Sequence, residues 1–376
     1  MSEKTEHIFC AHCGTQNEKM SKFCIHCGQL LDGNTSKQSP KKEPFKEKPN
    51  KIIDTATSRL NSWTGGQGSV QVNFKTFFQQ VFKTHTKAEA EEIFIVGTKK
   101  TTPSLEEVVN DKVQPWLFSR ILVFILSAGL LLFVFAKLNQ TLGDQIAMDV
   151  VIAIAVPVAA LVLFFEINVY KNISFYQVTK IIVIGGVLAL ILTIVLDHVL
   201  SNVGNMNFIN ALMTGIIEES AKVAVAAYFI RKLNIKRIFN GMLLGAAVGT
   251  GFAAFENIQY MVVDDQLVSF NTALIRTLLS ISDHTEWCAI AAAALVIVKS
   301  NKELSINTFL DTRFLRFFGL VVVIHMCWDW SLLNEISYLR YGVLAVITWI
   351  TVFVLIHAGL REVRELQIKV ANDNQT

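Results

Sequence analysis

Charge is what this sequence has little of. Of 376 residues only 17% are Asp, Glu, Lys or Arg, against about a quarter in a typical soluble domain, so an ordinary water-soluble globule is excluded. The net charge of +3 is too small for a chain whose main task is nucleic-acid binding, and no nucleic-acid partner is expected. The polar, cysteine-bearing N-terminus has no apolar h-region, which argues against a signal peptide there. What the chain does have is apolar: 52% hydrophobic residues and 26 Phe, with long apolar stretches alternating with short polar loops from 121 to 360.

About 20 mostly apolar residues cross the ~30 Å hydrocarbon layer as a helix. Eight stretches qualify: 117–137, 146–166, 179–197, 207–230, 238–263, 270–298, 316–334 and 341–360. They predict an all-α fold, a polytopic membrane helix bundle of about eight transmembrane helices, multi-pass in a cell membrane, with the lipid bilayer as a partner. The loops after the second, fourth and sixth stretches hold ten basic residues: Lys171, Lys180, Arg231, Lys232, Lys236, Arg237, Lys299, Lys302, Arg313 and Arg316. The loops on the other side hold two, Lys137 and Arg340. That asymmetry predicts cytoplasmic N- and C-termini.

Before the first stretch, Cys10-x2-Cys13 and Cys24-x2-Cys27 form two knuckles, each followed by Gly. Four thiolates so spaced suit a tetrahedral structural zinc, and a closed four-cysteine site leaves no position open for chemistry. Disulfides are the alternative, disfavoured in a reducing compartment. The expected organisation is a zinc ribbon over 1–31, a disordered Lys/Pro-rich linker over 32–51, and a cytoplasmic amphipathic helical region over 52–115. A transmembrane domain over 116–362 and a cytoplasmic tail over 363–376 complete it. The ribbon is expected to bind a cytoplasmic protein partner or to regulate the membrane part. In the helical region Phe74, Phe77, Phe78, Val81 and Phe82 follow helical spacing, and Thr86-x-x-Glu89 and Ser104-x-x-Glu107 read as capping boxes.

An ionisable residue inside a span costs about 3 kcal/mol on insertion scales, so a cluster of them marks function. The fourth stretch carries Glu218, Glu219 and Lys222, with Lys222 one turn from either acid. The fifth carries Phe252-x-x-x-Glu256-Asn257, the sixth Asp283-His284, and the seventh His325-x-x-Trp328-Asp329. Asp329 lies one turn beyond His325 and can hold its imidazole in one tautomer. Counted from the outer ends of their spans, Glu218, Glu256, His284 and His325 fall between mid-depth and the outer half.

These four ordered motifs resemble the PrsW family of intramembrane proteases and, more distantly, are similar to the type II CAAX prenyl proteases. The resemblance covers about 115–360; the zinc ribbon is an addition to the family unit. It implies a membrane-embedded endopeptidase that clips membrane-anchored protein substrates, such as anti-sigma factors in regulated intramembrane proteolysis. By the same resemblance the functional residues are Glu218, Glu219, Lys222, Glu256, His284 and His325.

Peptide hydrolysis needs a water, a base and a group that stabilises the oxyanion. Glu218 or Glu219 suits the base, His284 the water proton or the carbonyl oxygen, and His325 or Asn257 the oxyanion. Two His and one or more Glu also suit an open catalytic metal site. The HExxH signature is absent, which favours a glutamic mechanism over a metal. A thiol mechanism through Cys288 or Cys327 is disfavoured, since buried thiols usually act as small hydrophobes. Glu166 reads as interfacial, Pro157 as a kink, and Gly241, Gly245 and Gly249 as a close-packing face. The rival readings are an ion- or proton-coupled transporter, against which stands the lack of an internal repeat, and an inactive zinc-ribbon scaffold.

Overall fold

The computed structural model describes residues 7–9, 16–18, 51–139, 141–200, 206–263, 266–267, 270–332 and 337–374. The chain divides into two units, Met1–Pro49 and Asn50–Thr376. In the first, β1 (His7–Phe9) pairs antiparallel with β2 (Gln16–Glu18). Cys10, Cys13, Cys24 and Cys27 lie outside the described residues, as does the linker up to residue 50.

The second unit is helical. In chain order it contains α1 (Lys51–Trp63), α2 (Phe74–Phe77), α3 (Lys87–Phe94), α4 (Leu117–Asn139), α5 (Leu142–Ile167), α6 (Phe175–Lys180) and α7 (Gly186–Leu200). There follow α8 (Phe208–Lys232), α9 (Ile238–Gln259), an antiparallel pair of short strands, β3 (Val262–Val263) and β4 (Gln266–Leu267), then α10 (Phe270–Leu279), α11 (His284–Lys299), α12 (Ile306–Leu310), α13 (Thr312–Asp329) and α14 (Ser337–Asp373).

Helical segments stand at all eight expected positions, and six helices among the described residues are long and apolar enough to cross a membrane: 117–139, 142–167, 175–200, 238–259, 270–299 and 338–373. The two that fall short are α8, which carries Glu218, Glu219 and Lys222, and α13, 18 residues long with Arg313, Arg316 and Asp329. They lack apolarity because they carry the charged motifs. The last helix also runs past residue 362. Its final turns dock on the segment before α4, where Gln367 Nε2 donates to the Leu105 and Val108 carbonyls and Arg364 to that of Asn110.

Helix α9 is the axis of the bundle: every residue from Ile238 to Ala253 is buried, with α5, α7, α8 and α11 packed round it. The glycine face explains how α11 comes so close. A Cβ at Gly245 would run into the Cys288 carbonyl, and one at Gly249 into that of His284. By contrast α4 packs mainly on α5 and exposes Val123, Phe124, Leu130 and Leu131, as a lipid-facing helix should. Pro157 has no N–H to give the Ala153 carbonyl one turn earlier, and Asn257 Nδ2 on α9 supplies the missing donor at 3.2 Å.

The region before α4 is less regular than its Phe spacing predicts. Only Phe74–Phe77 is α-helical, a 3₁₀ turn covers Phe78–Gln80, and Phe82 is exposed. Tertiary contacts override the periodicity: Phe74 and Phe77 pack edge-on to Phe353 of α14, and Gln114 Nε2 donates to the Thr76 carbonyl. The Thr86–Glu89 capping box opens α3, whereas the Ser104–Glu107 box closes only a single 3₁₀ turn.

Candidate active site

Four helices bring their polar side chains to one point. Asn207 caps α8 by accepting from the Asn210 N–H, and Arg231 and Lys232 lie at the other end, where cations suit the helix dipole. Within that helix Glu219 and Lys222 are fully buried and form an ion pair at 2.6 Å. Glu219 Oε1 also lies 2.8 Å from His325 Nδ1 on α13. A carboxylate there accepts from an Nδ1–H, which leaves His325 Nε2 facing Glu218 Oε2 at 3.8 Å and Asp329 Oδ2 at 3.2 Å. The expected partnership of Asp329 with His325 is therefore present.

His284 stands at a break in the sixth span. Helix α10 stops at Leu279, a 3₁₀ turn covers Ser280–Ser282, and Asp283 restarts the chain as the N-cap of α11. A reciprocal cap seats it: Asp283 accepts from the Thr285 N–H and Glu286 from the Asp283 N–H, with both acids buried. Asn257 donates to Ser280 Oγ at 3.1 Å, and Trp349 Nε1 on α14 to the Ile281 carbonyl at 2.8 Å. The imidazole thus held lies between Lys222 Nζ, 2.5 Å from its Nδ1, and Glu256 Oε2, 2.5 Å from its Nε2. Ammonium groups only donate, so Nδ1 accepts and Nε2–H faces Glu256.

All six residues singled out from the sequence converge. Lys222 pairs with Glu219 at 2.6 Å and stands 3.8 Å from Glu218, so the two adjacent acids do take different surroundings. Asn257 does not fit the oxyanion role considered for it, because its amide is committed to Ala153 and Ser280. Phe252 and Trp287 wall the cluster, with Lys222 Nζ 4.5 Å from the Phe252 ring centre. The Cys288 side chain is completely enclosed, in keeping with a packing role.

A metal fits this donor set. Glu218, His284 and His325 each offer one ligand atom, that of His284 being Nε2 once its proton passes to Glu256, and the three residues are buried with these atoms within 4.8 Å of one another. Glu218 Oε2 is buried with no hydrogen-bond partner among the described residues, so it keeps its lone pairs for a ligand. Two imidazoles and a carboxylate match the ligands of open catalytic zinc sites.

Beside the cluster is a cavity of about 190 Å³, which the motifs did not reveal. Glu256, Asp283, His284 and Asp329 line it, and Tyr260, Arg276, Arg340 and Tyr341 are among its other walls. The Asp283-x-x-Glu286 spacing was the one sequence sign of the chain break that shapes it.

In comparisons with known proteins, residues 174–356 match the model of the PrsW family intramembrane metalloproteases, and residues 9–31 match that of a zinc-ribbon domain. No curated protein and no solved structure matches the chain.

Proposed function

We propose that this chain, whose residues 174–356 form a PrsW-family intramembrane protease domain, hydrolyses peptide bonds of membrane-anchored proteins at the cluster of Glu218, Glu219, Lys222, Glu256, His284 and His325. The observation that carries the reading is the meeting of Glu218, His284 and His325 from three helices within 4.8 Å, beside a cavity. The termini are cytoplasmic and the cavity faces the outer half of the bilayer. Anti-sigma factors are one class of substrate that fits. The ribbon cysteines Cys10, Cys13, Cys24 and Cys27 hold a structural zinc, and the ribbon docks a cytoplasmic protein.

The centre works as a metal-assisted hydrolase, with Glu218, His284 and His325 as ligands. An ion held by these three residues would supply a water acidic enough to act as nucleophile near neutral pH and a Lewis acid for the scissile carbonyl. Glu219 and Lys222 bind no substrate in this scheme; their buried ion pair holds the two Nδ1 atoms and so aims both imidazoles. Glu256 is the one acid of the cluster at the cavity wall that reaches His284, which makes it the proton acceptor for an entering water and the donor to the leaving amine. With Nδ1 held by Glu219, His325 Nε2 would be the ligand atom, and Asp329, 3.2 Å from it, would add negative charge beside the ion. Phe252 and Trp287 exclude bulk water and strengthen each of these interactions.

Cleavage of a single-span reporter protein in proteoliposomes tests the reading. Wild type should release the soluble half, and Glu218→Gln, Glu256→Gln and His284→Ala should not. Retained cleavage in all three variants would overturn it. Uptake of an ion by vesicles that required Glu218 would favour the transporter instead.

A further inference from the structure

Among the described residues, no acid forms an ion pair with one cation of the cavity beside the cluster. Three acids line it, and each already has a partner: Glu256 faces His284 Nε2, Asp329 faces His325 Nε2, and Asp283 accepts the Thr285 N–H. Arg340 is engaged as well, donating to the Trp330 carbonyl at 2.8 Å and to the Tyr341 hydroxyl at 2.6 Å. Arg276 differs. Its guanidinium stacks 4.0 Å from the Tyr260 ring centre, and its buried Nε has no hydrogen-bond partner among the described residues. Stacking on an aromatic face fixes the plane of a guanidinium while leaving its edge open for a bidentate carboxylate.

We infer that Arg276 forms a specificity subsite for an acidic side chain of the substrate, within a few residues of the bond that is cut. This inference rests on the protease reading and names its substrate class: membrane-anchored proteins with an Asp or Glu in the juxtamembrane or outer part of the span. A space of about 190 Å³ holds one side chain and a few waters, not a folded segment. An unfolded stretch of substrate that delivers its carboxylate to Arg276 brings its neighbouring peptide bond past Glu256 and His284, which line the same cavity. A partly desolvated carboxylate also needs such a partner more than one in water does.

The test uses fluorophore-labelled single-span peptides in phosphatidylcholine vesicles, identical except for one Asp, Asn or Lys moved along the outer half. Binding is measured to full-length Glu218→Gln protein, which holds substrate without cutting it. At one or two positions the Asp peptide should bind about tenfold more tightly than the Asn peptide. That ratio should fall to about one in Glu218→Gln/Arg276→Gln, survive in part with Arg276→Lys, and turn toward the Lys peptide with Arg276→Glu. Equal binding of Asp and Asn peptides at every position, the outcome expected if Asp264, Asp265 or a lipid phosphate holds the guanidinium instead, would overturn the subsite. So would an Asp preference that persists in Arg276→Gln, which would place the carboxylate on another cation such as Arg340. Wild-type protein is assayed for cleavage in parallel. An Arg276-dependent Asp preference without any cleavage would leave the binding site and sink the protease reading; cleavage indifferent to the acid would do the reverse.

Discussion

Two carboxylates of this bundle, Glu166 and Glu218, show what separates a structural acid from a chemical one. Glu166 at the end of α5 accepts three backbone N–H groups at the start of α4, from Trp116 at 2.8 Å, Leu117 at 2.9 Å and Phe118 at 2.8 Å. Those are donors that a helix start leaves orphaned, and the negative charge also suits the dipole. Glu218, deep in α8, has one oxygen buried with no hydrogen bond and stands 3.8 Å from both Lys222 and His325. One acid is saturated by backbone and fastens two helices. The other is held near charge without being satisfied by it, the condition in which it can take an ion or a substrate water.

The comparison breaks most decisively at Glu218. Glu218→Gln should lower cleavage by at least about 10³-fold while thermal unfolding stays near wild type, because the substitution removes a charge and not packing. A marked fall in unfolding temperature with activity retained would make the two acids alike. Gly249→Ala should come next. Its new Cβ collides with the His284 carbonyl, so α11 must shift, and misplacement of a reacting group by about 1 Å costs on the order of 10²-fold. Kinetics and unfolding temperature should fall together, and normal values of both would show that α9 and α11 are not held as described. Glu166→Ala should do the opposite of Glu218→Gln, costing about 1–3 kcal/mol of stability by orphaning donors, with turnover of the folded enzyme kept within a few-fold. The smallest effect is expected at Glu89. The backbone and hydroxyl of Thr86 donate to its carboxyl and hold it below the usual glutamate range. A carboxyl lowered in the folded state stabilises above its unfolded value, and that support is lost as pH falls through the lowered one. Exchange of the Thr86 amide should therefore stay slow through neutral pH and lose its protection only in acid.

Much of this was legible in the sequence. The eight helical segments and the six clustered residues follow from apolar length and from ionisable side chains that lipid would not tolerate. The i+4 spacing of His325 and Asp329 correctly implied their contact, and the glycines at 241, 245 and 249 implied a close helix pair. Other features depend on residues far apart in the chain. Nothing local says that the carbonyl freed by Pro157 would be met by Asn257, a hundred positions on, and that bond removes Asn257 from the chemistry. The Phe74–Phe82 periodicity fails because docking on Phe353 outweighs a short helix's own preference. The cavity near Arg276 exists because the sixth apolar stretch, continuous by composition, restarts at Asp283.

The central claim is that Glu218, His284 and His325 form one ion-holding centre, and metal content tests it most directly. A Cys10→Ser/Cys13→Ser protein, freed of ribbon zinc, should be purified beside the same protein carrying Glu218→Gln or His325→Ala and analysed for bound metal. One ion per chain in the first, lost in the other two, is the predicted result. No ion in the first, or an ion that both substitutions leave in place, would contradict it.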